Sequence, residues 1–234
     1  MIRCATIGTN FVADWFMKAL QACDGITCSL VYSRNRETAE AFCEKHGAGR
    51  WCTDLMEAAE AKDVDAVYIA SPNSLHYEQA ALMLSHGKHV LCEKTITSNE
   101  AELKELIRLA GENGTVLMEA MRSVHEEGFR RLKEVLPMAG TIRRISFQYA
   151  KYSSRYDKFK EGIIENAFNP AFSNGALMDI GVYCVHPLVR LFGMPKKIIA
   201  DSLLLSNGVE GAGTILASYD GMQAELLYSK ITNN

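Results

Sequence analysis

Over the first 120 residues, short apolar runs alternate with stretches of helical spacing, and few folds accommodate that rhythm. The runs Val64-Asp65-Ala66-Val67-Tyr68-Ile69 and His89-Val90-Leu91-Cys92 are almost continuously apolar. A parallel sheet covered by helices on both faces requires strands of that kind. The spacing predicts strands over 2–7, 26–32, 50–52, 65–70, 88–92 and 115–118. Helices are expected over 11–23, 36–46, 54–61 (capped by Thr53 or Asp54), 76–86 and 99–113. Right-handed crossovers between such strands give an α/β Rossmann domain over 1–120.

After residue 120 the rhythm changes. A helix is expected over 125–136 and a long strand over 141–152, where Ile145, Phe147 and Tyr149 alternate with polar neighbours. A loop rich in aromatic and charged residues follows over 153–174, long enough to suggest a functional role. A helix over 176–192 is stopped by Gly193 and Pro195. Three strand-like runs close the chain, the last two joined by the hairpin dipeptide Asp220-Gly221. Residues 121–234 therefore read as an α+β domain with a mainly antiparallel sheet.

A net charge of −3 without a basic patch leaves no electrostatic footprint for nucleic acid. The longest apolar stretches read as strand-sized, so no membrane span is expected. The chain starts directly on a strand, which speaks for a cytoplasmic protein rather than a secreted one. Seven cysteines without a C-x-x-C spacing read as buried thiols in a reducing compartment, not as disulfides or metal ligands. The histidines also lack metal-ligand spacing, and His86 and His89 read as solvated.

Three turns carry the candidate cofactor site. Gly8-Thr9-Asn10-Phe11-Val12-Ala13 joins the first strand to the first helix, where a dinucleotide fingerprint places Gly-x-Gly-x-x-Gly/Ala. Gly8 and Ala13 fit, whereas Asn10 stands where the middle glycine belongs. Asn tolerates a left-handed backbone, provided its side chain points away from the phosphates. At the end of the second strand, Tyr32-Ser33-Arg34-Asn35-Arg36 lacks the carboxylate that would bind an NAD ribose. Ser33, Arg34 and Arg36 suit a 2′-phosphate, which favours NADP over NAD, although arginines in such a turn are also ordinary solvated residues. The third turn, Ser71-Pro72-Asn73-Ser74-Leu75-His76, follows the fourth strand and flanks the crevice, with Asn73 or Ser74 able to cap the next helix.

Two further positions suggest chemistry. Glu93-Lys94-Thr95 puts a lysine at the carboxyl end of a buried strand, where open α/β sheets hold their ligands, unless it is simply an exposed loop residue. In the helix over 176–192, Asp179, Tyr183, His186 and Arg190 share one stripe, with Leu177, Ile180, Cys184, Leu188 and Leu191 on the core side. Tyrosine titrates near 10, about three units too high for proton transfer at neutrality. A nearby ammonium favours tyrosinate, so Lys94 and Tyr183 form a coherent acid–base pair for interconverting an alcohol and a ketone beside nicotinamide. Asp179 either orients that pair or binds a substrate hydroxyl.

Taken together, Gly8 to Ala13, Ser71-Pro72-Asn73 with His76, Glu93-Lys94-Thr95, Glu119-Ala120-Met121 and the run from Asn174 to Tyr183 are similar to the Gfo/Idh/MocA oxidoreductases. The nearer branch contains glucose–fructose oxidoreductase and dimeric dihydrodiol dehydrogenase. The resemblance implies NAD(P)-linked oxidation of sugars, polyols or related alcohols, with Lys94 as catalytic lysine and Tyr183 as acid–base tyrosine. It also implies a cofactor site of Gly8, Thr9, Asn10, Phe11, Val12, Ser33, Arg34, Ser71, Pro72, Asn73, His76, Glu93 and Lys94. Two departures are Asn10 for a glycine and Thr95 for the usual proline. Family members normally continue for about another 90 residues, so the second sheet is expected to lack strands. Oligomers, dimers first, are expected to form through that sheet. Arg155, Tyr156, Lys158 and His186 are the candidate contacts for a small-molecule substrate. Two other readings remain: a cofactor-binding regulator or sensor without catalysis, and an inactive truncated chain.

Overall fold

Six strands within residues 1–120 all run parallel in one sheet, which is the reason several loops there open along one edge. The computed structural model describes residues 1–233 and divides the chain into two compact units, Met1–Ala120 and Met121–Asn234. In the first, strands β1 (Ile2–Ile7), β2 (Ile26–Tyr32), β3 (Arg50–Cys52), β4 (Ala66–Ile69), β5 (His89–Cys92) and β6 (Leu117–Glu119) alternate with helices. These are α1 (Phe11–Gln21), α2 (Arg36–His46), α3 (Leu55–Glu60), α4 (His76–Ser85) and α5 (Glu100–Glu112). The strand order is β3-β2-β1-β4-β5-β6.

Two apolar layers cover the sheet. Ala5, Ile7, Leu30, Val67, Ile69, Val90 and Cys92 face Met83, Leu84 and Leu106 on one side. Cys4, Cys28, Val31 and Tyr68 face Met17, Leu20 and Phe42 on the other. Six of the seven cysteines are buried and all are free, and burial pushes the thiols of Cys4 and Cys28 up to about 11 and about 12. His89, expected to be solvated, accepts a hydrogen bond at Nδ1 from the amide of Val116 at 2.9 Å, tying β5 to β6. Asp54, not Thr53, caps α3, its carboxylate accepting from the amide of Met56 at 2.9 Å.

The second unit holds α6 (Glu127–Val135), β7 (Arg144–Ala150), α7 (Tyr156–Lys160), α8 (Val182–Phe192), β8 (Lys197–Leu204), β9 (Glu210–Tyr219) and β10 (Met222–Ser229). Its sheet runs β7-β10-β9-β8, antiparallel except where β10 lies parallel to β7. Asp220-Gly221 makes the expected tight hairpin, pairing Tyr219 with Met222, and Gly221 takes the positive φ of 69° that this turn needs. The long loop is not structureless, since α7 and two single 3₁₀ turns, Asn166–Phe168 and Pro170–Phe172, lie within it.

Two expectations change in this unit. The stretch Pro170–Phe192 is long and apolar enough to cross a membrane by length and composition, contrary to the strand-sized reading. Its Ala176, Cys184 and Leu188 nevertheless join Ile215, Ala224, Leu226 and Tyr228 in one core, so it serves as the cover of a sheet. The helix over 176–192 is also not uniform: Leu177–Gly181 forms a wider π turn, and α-helical pitch begins only at Val182. A π turn throws the side chains on either side of it out of register. Asp179 and Tyr183 accordingly do not continue one α-helical row, and Phe192 joins the core where the stripe placed Leu191.

Candidate active site

In the first unit, the turns singled out from the sequence lie at the carboxyl ends of adjacent strands. Residue partners Ile7, Tyr32, Ile69 and Cys92 align the ends of β1, β2, β4 and β5. The chain leaving each strand is sewn to its neighbour. The amide of Gly8 donates to Tyr32 O at 3.2 Å, Ala70 N to Ile7 O at 2.8 Å, and Glu93 N to Ile69 O at 2.8 Å. Gly8 has φ of +106°, and a Cβ there would lie 2.7 Å from the carbonyl oxygen of Ala70. Only glycine satisfies both the backbone angle and the close approach.

Asn10 departs from the sequence reading. Its φ of −81° is not left-handed; it is the N-cap of α1. Its Oδ1 accepts from the amides of Val12 and Ala13 at 2.9 and 3.1 Å, while its Nδ2 donates to Ala70 O at 2.7 Å. The side chain thus ties the first turn to the end of β4. It occupies two of the helix-end amides, which are therefore closed to an anion. Thr9 and Phe11 complete the turn, with Phe11 55% exposed and Val12 half-buried.

At the end of β2, Arg34 is exposed and makes no hydrogen bond or ion pair among the described residues. Ser33 Oγ lies 2.8 Å from Thr38 Oγ1, and Asn35 caps α2 by accepting from Thr38 N at 3.0 Å. Arg36 stacks its guanidinium over the Trp51 ring, 5.3 Å from the centroid. The edge therefore offers one uncommitted guanidinium beside two hydroxyls bonded to each other and, through Thr38, to Asn35 O, and no carboxylate lies among residues 32–36.

His76 is fully buried, with Nδ1 2.8 Å from Thr95 O and Nε2 2.9 Å from Ser71 O. Each ring nitrogen faces a backbone carbonyl and the neutral ring donates to one of them, so His76 spans the Ser71 turn and the Lys94 turn. Pro72 precedes a 3₁₀ turn over Asn73–Leu75, and neither that turn nor α4 has a side-chain cap, contrary to the role expected of Asn73 or Ser74. Ser71 Oγ donates to Gln79 Oε1 at 2.6 Å instead. Burial lowers the pKa of His76 below its ordinary 6.5, against the opposing pull of the two carbonyls. A group depressed in this way binds fewer protons folded than unfolded, so stability rises with pH. Its contribution is complete above the unfolded value and is lost as pH falls from there toward the folded one. The melting temperature of His76→Gln is expected to fall less than that of the parent between about pH 7 and pH 5. Equal slopes in a calorimetric pH series would assign the acid sensitivity elsewhere.

Lys94 is half-buried at the end of β5, and the Lys94–Thr95 peptide is cis. Its neighbours are fixed by carboxylates. Glu93 accepts from the Tyr68 hydroxyl at 2.6 Å and from the Lys94 amide at 3.3 Å, while Glu119 accepts from the Ile96 amide at 3.0 Å. Burial and the adjacent Glu93 push the Tyr68 phenol well above its ordinary value, and burial raises the Glu119 carboxyl. Tyr68 stacks flat on Phe16 with centroids 3.9 Å apart.

In the second unit, Tyr183 is half-buried and meets the Tyr149 ring edge-on at 5.7 Å. Asp179 lies in the π turn and pairs through Oδ2 with Lys230 Nζ at 2.8 Å. Lys230 received no role from the sequence, yet its side chain is only 3% exposed. Burial, and after it the Arg190 guanidinium, lower the pKa of His186 below its ordinary value. The loop candidates are engaged internally: Arg155 Nε pairs with Glu165 at 3.0 Å, and Lys158 pairs with the same carboxylate. Tyr156 packs among Tyr152, Phe159 and Phe168. Among the described residues no cluster of His, Cys, Asp or Glu has the makings of a metal site.

Comparison with known proteins adds the family context. Residues 2–121 match the model of the oxidoreductase family with an NAD-binding Rossmann fold, GFO_IDH_MocA. Over all 234 residues the chain is 50% identical to scyllo-inositol 2-dehydrogenase (NADP(+)) of Bacillus subtilis, spanning 71% of that protein. It is 30% identical to trans-1,2-dihydrobenzene-1,2-diol dehydrogenase of Mus musculus over 94% of its own length and 66% of the relative's. Among solved structures, the 3-ketoreductase KijD10 of Actinomadura kijaniata in complex with NADP matches with a TM-score of 0.83 at 27% identity. That match covers 99% of this chain and 70% of the ketoreductase.

Proposed function

We propose, on the premise that this chain belongs to the Gfo/Idh/MocA oxidoreductase family, that it is an NADP-dependent dehydrogenase acting on CH–OH groups of a small polyhydroxylated alcohol or the corresponding ketone. The observation that carries this reading is the convergence of the Gly8 turn, the Ser71 turn and Lys94 on one edge of a single sheet. That edge is where open α/β sheets hold nucleotides. The residues fit the cofactor: Gly8 makes the tight turn into the N-terminus of α1, and Arg34 offers an uncommitted guanidinium to a 2′-phosphate. The names of the Bacillus relative and of the ketoreductase structure carry the same cofactor.

NADP held at this edge by the Gly8, Ser33–Arg34 and Ser71 turns would supply or accept the hydride. Tyr183 then takes the hydroxyl proton during oxidation and returns it during reduction, and the Lys94 ammonium favours the tyrosinate form. Asp179 accepts a hydrogen bond from a substrate hydroxyl. The substrate class rests on the names of the relatives, an inositol dehydrogenase and dihydrodiol dehydrogenases.

The cofactor assignment is tested by thermal shift, since a ligand that binds the folded state raises its melting temperature. NADPH is expected to raise it more than NADH. A charge-assisted contact is worth about 1.5–3 kcal/mol, so Arg34→Ser is expected to weaken NADPH about 10- to 100-fold while leaving NADH little changed. A larger shift with NADH in the parent protein would overturn the assignment.

A further inference from the structure

Lys230 follows the last residue of β10 directly and carries a charge that the fold buries almost completely, with 3% of its side chain exposed. Its backbone is held on both sides: its amide donates to Gly211 O at 2.8 Å, and its carbonyl accepts from Ser153 N at 2.8 Å. The ammonium donates to Ala167 O at 2.6 Å, pairs with Asp179 Oδ2 at 2.8 Å and lies 4.6 Å from the centre of the Phe168 ring. One cation thereby joins three stretches: the end of β10, the 3₁₀ turn Asn166–Phe168 and the π turn Leu177–Gly181.

We propose that Lys230 is the positioning residue of the catalytic helix, holding the Asp179 carboxylate in place on the π turn that leads into Tyr183. This rests on the reading of Asp179 as the group that binds a substrate hydroxyl. The chemistry favours positioning over simple stabilisation. A buried ion pair contributes little net stability, because desolvating both charges offsets their attraction, and an apolar pair of similar volume does as well or better. A buried charge pair does give direction. Two acceptors, Ala167 O and Asp179 Oδ2, and a ring face orient the ammonium, and through it the carboxylate. Asp179 is also the unequal partner, with 32% of its side chain exposed against 3% for Lys230. The cation is sequestered and the anion faces outward, as expected of a support behind a working group. Interruptions of α-helical pitch of this kind are frequently found at functional sites.

Two measurements test the assignment. In the first, NADP⁺ reduction is followed with scyllo-inositol as the probe. Lys230→Met, of similar length but uncharged, is expected to lower kcat/KM about 10- to 100-fold while the NADPH-induced rise in melting temperature stays as in the parent. Lys230→Arg, which keeps the cation, is expected to recover part of that loss. Asp179→Asn added to Lys230→Met is expected to lower activity little further, because both substitutions break the same unit. A Lys230→Met enzyme with parental kcat/KM, or fully additive losses in the double variant, would overturn the proposal.

The second measurement needs no turnover: NMR of the lysine ¹⁵Nζ groups. The parent is expected to show one slowly exchanging ammonium signal near neutral pH, absent in Lys230→Met and shifted in Asp179→Asn. A signal unmoved by Asp179→Asn would overturn the proposal even if the parent proves inactive on the probe. An inactive parent with a shifted signal would instead sink the substrate reading and leave the positioning in place.

Discussion

Tyr183→Phe and Lys94→Met are each expected to lower kcat about 10²- to 10⁴-fold, the usual contribution of a positioned acid–base group. NADPH affinity is expected to stay within about twofold for Tyr183→Phe, because the phenol is assigned to the substrate's proton and not to the cofactor. The phenylalanine variant keeps the edge-on contact with Tyr149 and loses only the hydroxyl, so a collapse in activity cannot be attributed to lost packing. Lys94→Met likewise preserves the length of a half-buried side chain. Stopped-flow and steady-state rates, set beside NADPH titrations on the same samples, separate the two effects. Turnover within tenfold of the parent would remove that residue from the mechanism.

Phe168→Ala is expected to have the largest effect on stability, about 3–5 kcal/mol for a fully buried aromatic. Phe168 is 0% exposed and is the centre of a cluster with Tyr156, Phe159 and Val209. Its loss opens a cavity, and it also removes the ring face on which the Lys230 ammonium rests, 4.6 Å from the centroid. In a chain of this size the melting temperature should fall by on the order of 10 °C. Differential scanning calorimetry resolves this. A fall of less than about 2 °C would mean that the loop over 153–174 does not depend on this cluster.

The parts of this molecule legible in the sequence are those decided by neighbours in the chain. The apolar runs at 64–69 and 89–92 announced parallel strands because a doubly covered strand leaves no polar face to alternate. Asp220-Gly221 announced its hairpin because few dipeptides accept its backbone angles. The edge carrying Gly8, Arg34, Ser71 and Lys94 followed from strand order alone.

What escaped depends on distant residues. Lys230 reads as an ordinary lysine after a strand, and only distant contacts, such as that with Ala167 63 positions earlier, reveal a buried cation. The π turn is invisible to α-helical periodicity, which carried Asp179 and Tyr183 along one row. Asn10 resembles a glycine substitute in a one-dimensional motif, yet its amide is satisfied by Ala70 across the strand ends. The sequence offers Tyr156 and Arg155 as substrate contacts and says nothing of the neighbours they meet inside the loop. Their partners Phe168 and Glu165 show the loop folding upon itself.

The central claim is that Lys94 and Tyr183 handle one proton between them. A double-variant cycle on NADP⁺ reduction with scyllo-inositol tests it most directly, comparing Lys94→Met, Tyr183→Phe and the combination. Groups that act as a unit give a double variant about as slow as the slower single one. Losses that multiply would show two independent contributions and contradict the account.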